Sequence, residues 1–293
     1  MTTWTDQDLL ALDAKFAVEG VAHHARPLRA AIDILGGGDL LTGILPNPQT
    51  SRIVERYGEL VPEVSTTWPG LGIGISASVD QVRKVTVPVP LGSCSTQVWQ
   101  SLGFDSQAQW WTWCRENSEI AAETAFAAAD MNDFAHGLNE IEGMGRGVAP
   151  TLWAMARSNL EDVANTLPAT FSVASVLQSI CMVVELSLKA LLVWKGADPA
   201  SFKGKNGHDL GALAVRVATE SPHRDDTMVS DLIAKFPPYV ASRYSPAGLT
   251  RLEVVRLALG AQFIFASTLR RVASADLAAE FESGGWPAPR KPF

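Results

Sequence analysis

The sequence predicts a mainly α-helical protein. A bundle of four or five helices fills the last third, and a helical N-terminal domain carrying one small β-hairpin precedes it. Three observations lead to this. Apolar residues recur at three- and four-residue spacing, most clearly Leu177, Ile180, Cys181, Val184, Leu188, Leu191 and Leu192, which line one face of a helix. Residues 71–75 and 82–89 are the only convincing strand candidates, being short and rich in β-branched side chains. Clusters of Gly and Pro punctuate the chain between these patterns.

In chain order, Thr5 with Asp8 forms a capping box for a first helix through Leu9, Leu12 and Phe16. A second helical pattern runs over about 18–35, with Pro27 as a kink or boundary and Gly36 to Gly38 as its end. Residues 39–70 hold one short helix near 51–60. Gly70, Gly72 and Gly74 make no phosphate loop, since no Lys-Ser/Thr follows, so 71–89 is read as a hairpin or flap. Asp105 or Ser106 caps a helix carrying Trp110, Trp113, Ile120, Ala127, Met131, Phe134, Leu138 and Ile141. Unbroken over 106–142 it would be about 55 Å long. Gly143 to Gly147 and Pro150 mark the expected domain boundary, dividing a domain at 1–150 from a bundle at 151–275. Ser158 with Glu161 suggests a capping box, and Thr250 with Glu253 caps a final helix that is apolar nearly all round. Residues 276–293 read as a Pro/Gly-rich tail, extended or mobile towards its end.

Composition narrows the class. An apolar share of 47% excludes wholesale disorder, and three cysteines without Cys-x-x-Cys spacing fit a reducing cytosol rather than a disulfide framework or a cysteine-rich zinc site. The chain begins without the basic start and apolar run of a signal peptide, so a cytoplasmic location is expected. The helix at 175–195 is oily, yet Glu185 and Lys189 sit mid-segment, which favours a soluble core over a membrane span. The net charge of −7 is uneven: residues 1–165 hold 10 Lys/Arg against 20 Asp/Glu, whereas 166–275 hold 12 against 8. A basic half can meet a polyanion, or the two halves can attract each other.

Three ordered motifs carry a resemblance. They are Glu185-x-x-x-Lys189 within the long apolar helix, Asn206-Gly-His-Asp-Leu210, and Tyr239-Val-Ala-Ser-Arg-Tyr244. Together, over roughly 166–275, they resemble the HEPN domain, a small helical bundle found in nucleotide- and RNA-handling prokaryotic proteins. The resemblance implies an RNA or nucleotide ligand, a homodimer, and a setting such as antiphage defence or toxin–antitoxin regulation. It implies no cofactor or metal. By analogy Glu185, Lys189, His208, Asp209, Tyr239, Arg243 and Tyr244 would gather at one end of the bundle, where basic groups take phosphate oxygens and a tyrosine stacks on a base. The same residues have a structural reading: Glu185 pairs with Lys189 or Arg243, Asp209 caps a helix, and the tyrosines belong to the core.

Catalytic members of that family are metal-independent ribonucleases marked by an Arg followed, after four to six residues, by a His. Arg216 and His223 meet this spacing, so they are the candidate catalytic pair, the imidazole moving a proton and the guanidinium holding phosphate. Two departures stand: the pair follows the second helix rather than lying near the last helices, and the residue after the Arg is the apolar Val217. The alternative function is a non-catalytic dimerisation or protein-interaction module, with a partner protein reached through the N-terminal domain. Asp133, His136 and Glu140 share a helix face that is read as solvated rather than metal-binding, and His23-His24 lacks ligand partners at a recognised spacing. The Trp110-Trp111-Trp113 cluster is read as apolar seam rather than as a base-stacking platform.

Overall fold

The computed structural model describes residues 4–36, 48–63, 70–88, 96–144, 147–170, 174–202, 204–238, 248–284 and 290–291. The chain is mainly helical with one two-stranded antiparallel sheet. It divides into two compact units, 1–69 and 70–293. The division therefore lies near 70 rather than near 150. The reason is that the hairpin and the helices following it share one hydrophobic core with the C-terminal bundle.

The first unit holds α1 (Asp6–Val18), α2 (Arg26–Leu35) and α3 (Pro48–Leu60). The expected capping box is present: Thr5 Oγ1 accepts from Asp8 N, and Asp8 Oδ2 accepts from Thr5 N at 2.8 Å. Pro27 lies in the first turn of α2, where its missing N–H costs nothing, and Gly36 ends the helix in the left-handed conformation (φ 81°). Leu9, Phe16, Ala30, Ala31, Ile53 and Tyr57 form a core of their own. At its edge Asp13 accepts from Tyr57 Oη (2.7 Å) and Arg26 Nη1 (3.0 Å). Burial works against the Asp13 charge, but these two donors outweigh it and hold the carboxyl below its usual range.

The second unit begins with β1 (Gly72–Ser78) and β2 (Gln81–Val87), paired from Gly72↔Val87 to Ser78↔Gln81 around a two-residue turn. Then come α4 (Val98–Ser101), α5 (Gln107–Trp113), α6 (Ser118–Ile141), α7 (Ala149–Thr166), α8 (Ala174–Trp194), α9 (Leu210–Glu220), α10 (Asp226–Ile233), α11 (Arg251–Arg270) and α12 (Leu277–Gly284). Helices α6, α7, α8 and α11 pack on one another, β1 lies against α6 and α7, and α9 adds to α8. Both α8 and α11 are long and apolar enough to cross a membrane by length and composition, and most of each is buried inside the unit.

Every residue of β1 is buried. Its glycines are there because α6 and α11 come close. A Cβ at Gly72 would stand 2.8 Å from Phe134 Cε2, and one at Gly74 would stand 2.5 Å from Gln262 Oε1. Gln262 supplies what a third strand would: its Oε1 accepts from Ile75 N (2.8 Å) and its Nε2 donates to Ile75 O (3.1 Å) and Ala127 O (3.1 Å). At the hairpin turn Val79 adopts φ 59°, a conformation that strains a β-branched side chain. Arg251 holds this tip, donating to Asp80 O at 3.1 Å, and also reaches Leu167 O at 3.1 Å beyond the end of α7.

Several sequence expectations change. The helix expected over 106–142 is two helices, because Arg115 and Glu116 both take positive φ (57° and 54°) and Asn117 caps α6. Ser158 and Glu161 lie inside α7, whose start is set by Pro150; Ser158 Oγ donates to Ala154 O, and Glu161 pairs with Arg157. Asp133 is not on a solvated face: it is fully buried on Arg270, and Glu140 accepts from Ser274 N at 2.8 Å. The tail region contains α12, and Arg290 beyond it is buried rather than loose.

Candidate functional site

Four of the residues singled out in the C-terminal part meet around α8 and the start of α9. Glu185 and Lys189 lie one turn apart on α8, so their side chains share a face, and Lys189 Nζ donates to Glu185 Oε1 at 2.6 Å. The pair is buried, with Glu185 the deeper. His208 reaches the same carboxylate from the loop before α9, its Nδ1 lying 3.1 Å from both Glu185 oxygens. That placement depends on Gly207, where a Cβ would overlap the Phe202 carbonyl. Asp209 does not enter the cluster: it is the N-cap of α9, accepting from Ala212 N at 3.0 Å.

Phe202 closes one side. Lys189 Nζ stands 5.9 Å and Arg216 Cζ 5.5 Å from its ring centroid, so two cations flank one aromatic ring. Arg216 is half-exposed and pairs with Glu220 one turn along α9 at 2.5 Å. Beneath the cluster, burial and then the Glu185 charge push the Cys181 thiol up to about 12, so it remains a protonated packing group.

The second candidate catalytic residue stands in a different environment. His223 Nδ1 lies 3.4 Å from Asp225 Oδ2, and Arg224 Nη1 lies 3.4 Å from His223 Nε2. Both ring nitrogens face charged neighbours and the ring is mostly covered. Among the described residues, Arg216 and His223 share no hydrogen-bond or ion-pair partner. Tyr239, Arg243 and Tyr244 lie outside the described residues.

His223 borders an ionic cluster that sequence reasoning missed. Arg270, at the end of α11, has no exposed side-chain surface. It donates to Asp130, to Asp133 Oδ2 (2.8 Å) and to Asp225 Oδ2 (3.3 Å). Arg224 pairs with Asp276 (2.5 Å) and Glu282 (3.0 Å), and Arg271 with Asp226 (2.7 Å). Burial raises the Asp133 carboxyl above its usual range despite Arg270. At Asp225 burial acts the same way, but His223 and Arg270 outweigh it and hold the carboxyl far below normal. The signal was present in Asp130 and Asp133, two acids in the middle of an alanine-rich helix, and in Arg270-Arg271 closing an apolar one. Among the described residues, no group of three or more His, Cys, Asp or Glu side chains is arranged to hold a metal ion.

No protein-family model, curated protein or solved structure matches this chain.

Proposed function

We propose that residues 166–275 form a HEPN-like bundle that binds RNA or a nucleotide at the corner made by Lys189, Phe202, His208 and Arg216. One observation carries this reading. Lys189 and His208 meet on the buried Glu185 carboxylate, and the Phe202 ring beside them is flanked by Lys189 and by Arg216 from α9.

The chemistry follows from which contacts yield easily. The Lys189–Glu185 pair is buried and fixes the floor, since separating it would leave a charge in the core. The Arg216–Glu220 pair is half-exposed, and exposed pairs contribute only about 0–1 kcal/mol, so a phosphate can draw Arg216 away at small cost. A guanidinium takes phosphate oxygens two at a time, and the Phe202 ring offers a face to a base. Binding is favoured over ribonuclease chemistry because His223 and Arg216 belong to different clusters. The cytoplasmic, defence-related setting and the homodimer implied by the family resemblance form part of the same proposal.

The test is anisotropy of a labelled tRNA and of a labelled ATP analogue at 50 mM salt with EDTA. Wild type should bind at least one probe with strong salt dependence, and Arg216→Ala and His208→Ala should each weaken it about tenfold or more. Failure of wild type to bind either probe, or equal binding by both variants, would refute the proposal. EDTA-resistant cleavage lost in Arg216→Ala and in His223→Ala would instead establish the ribonuclease. The interaction-module reading has its own support in Met144, Val148 and Met155, which are exposed around the α6–α7 connection. It predicts self-association lost on Val148→Asp.

A further inference from the structure

Arg290 is the fourth residue from the end of the sequence, yet its side chain is only 5% exposed. Its Nη1 and Nη2 donate to Asp130 Oδ2 (2.8 Å) and Oδ1 (2.7 Å), a two-pronged match of guanidinium to carboxylate. Its Cζ lies 4.5 Å from the Phe126 ring centroid and 4.8 Å from that of Phe263, so aromatic rings meet the guanidinium as well as the carboxylate does. Glu282 Oε1 stands 3.8 Å from Nε. Just beyond, Lys291 Nζ pairs with Glu119 at 2.6 Å.

We propose that this cleft is a recognition site for an arginine-bearing peptide segment. The chain's own C-terminal arginine is its resident occupant, and a second such segment can bind in its place. The proposal shares no residue with the Lys189–Arg216 corner and does not depend on it.

Three features distinguish the cleft from an ordinary ion pair. First, it suits a guanidinium and not merely a cation: a lysine could neutralise Asp130 but could neither form two parallel bonds nor lie flat against the rings. Second, the carboxylate is held in place without its occupant. Asp130 also accepts from Arg270, which Asp133 and Asp225 fix in turn, so withdrawing Arg290 leaves the acceptor oriented. Third, charge favours occupation. Among the described residues, Asp130, Asp133, Asp225, Asp276 and Glu282 pair with Arg224, Arg270 and Arg290, with His223 beside Asp225, and removing Arg290 widens the anionic excess. Because the occupant lies past α12, exchange unwinds no helix of the bundle.

A tethered occupant competes at millimolar effective concentration, so wild type should resist a peptide that a vacated cleft accepts. The experiment uses full-length wild type, Arg290→Ala and Arg290→Lys, with a fluorescein-labelled peptide copying residues 283–293 followed by anisotropy. Arg290→Ala should bind this peptide at least tenfold more tightly than wild type, and a peptide carrying Arg290→Lys should bind at least tenfold more weakly than the native one. Millimolar ethylguanidinium should raise the melting temperature of Arg290→Ala and leave that of wild type unchanged. Should Arg290→Ala fold poorly, Arg290→Lys, which keeps a charge beside Asp130, serves as host and should also bind more tightly than wild type. Equal binding by wild type and the folded variant, or equal affinity for the two peptides, would overturn the proposal.

Discussion

Replacing Arg270 with methionine tests the ionic cluster most severely. The side chain is wholly buried and lies within ion-pair distance of Asp130, Asp133, Asp225 and Asp276. Its loss leaves the buried Asp133 without its cation, while Asp130 keeps Arg290 and Asp225 keeps His223 and Arg224. Removing one partner of a buried pair costs about 3–5 kcal/mol, and with Asp133 losing its cation and Asp130 and Asp225 each losing one of theirs the upper end, about 5 kcal/mol, is expected. That is a fall of roughly 10³–10⁴ in the folding constant at about 1.4 kcal/mol per decade. At about 3 kcal/mol per M of urea it moves the midpoint by roughly 1.5 M. Tryptophan fluorescence gives the readout: Trp153 is buried in this unit, with Nε1 donating to Thr268 Oγ1 at 3.1 Å, two residues before Arg270. The penalty should also depend on pH. A buried carboxyl without its cation has a folded pKa above its unfolded one, so Asp133 takes a proton readily and the gap between variant and wild type narrows from pH 7.5 to pH 5. A loss below about 1 kcal/mol, or the same loss at both pH values, would refute the assignment of this cluster as a structural keystone.

Three other outcomes follow from the structure. Val79→Gly should stabilise the protein by about 1 kcal/mol in urea, since relief of about 1–3 kcal/mol of backbone strain exceeds the roughly 0.5–1 kcal/mol entropic cost of glycine; a destabilised variant would contradict this. Gln262→Leu should cost about 2–3 kcal/mol by leaving the Ile75 amide and carbonyl without their side-chain partner, and should speed hydrogen exchange at Ile75; unchanged exchange would count against it. Asp225 and Asp276 both have folded pKa values below the unfolded value near 3.9. Their contribution is therefore complete above about pH 4 and is lost as pH falls through the folded values, and acid titration of Asp225→Asn should show a shallower decline than wild type.

What could be read from the sequence was local in origin. Thr5 with Asp8 and Thr250 with Glu253 cap their helices as read, because both partners of a capping box lie within four residues. Glu185 with Lys189 was legible for the same reason, being one helical turn apart. The break after α5 was hidden because Trp113 and Ile120 are seven residues apart, a spacing that continues the apolar face as an intact helix would. The unit boundary was misplaced because Gly143 to Pro150 carries turn chemistry that joins α6 to α7 within one core. Arg270 and Arg290 were passed over because a charged residue reads as exposed until its partners are known, and Asp130 is 140 residues from one and 160 from the other.

Gln262 and Arg251 have a consequence for the order in which the polypeptide acquires its shape. The hydrogen bonds they make to the hairpin span 187 and 171 residues, so the strands leave the ribosome long before their donors and acceptors on α11 exist. At roughly 5–20 residues per second that interval lasts roughly 10–40 s. Throughout it, Ile75 presents an unpaired amide and carbonyl to whatever is nearby. Nascent chains of this protein should therefore depend on chaperone cover until α11 is made, and truncations ending before Thr250 should accumulate as insoluble material.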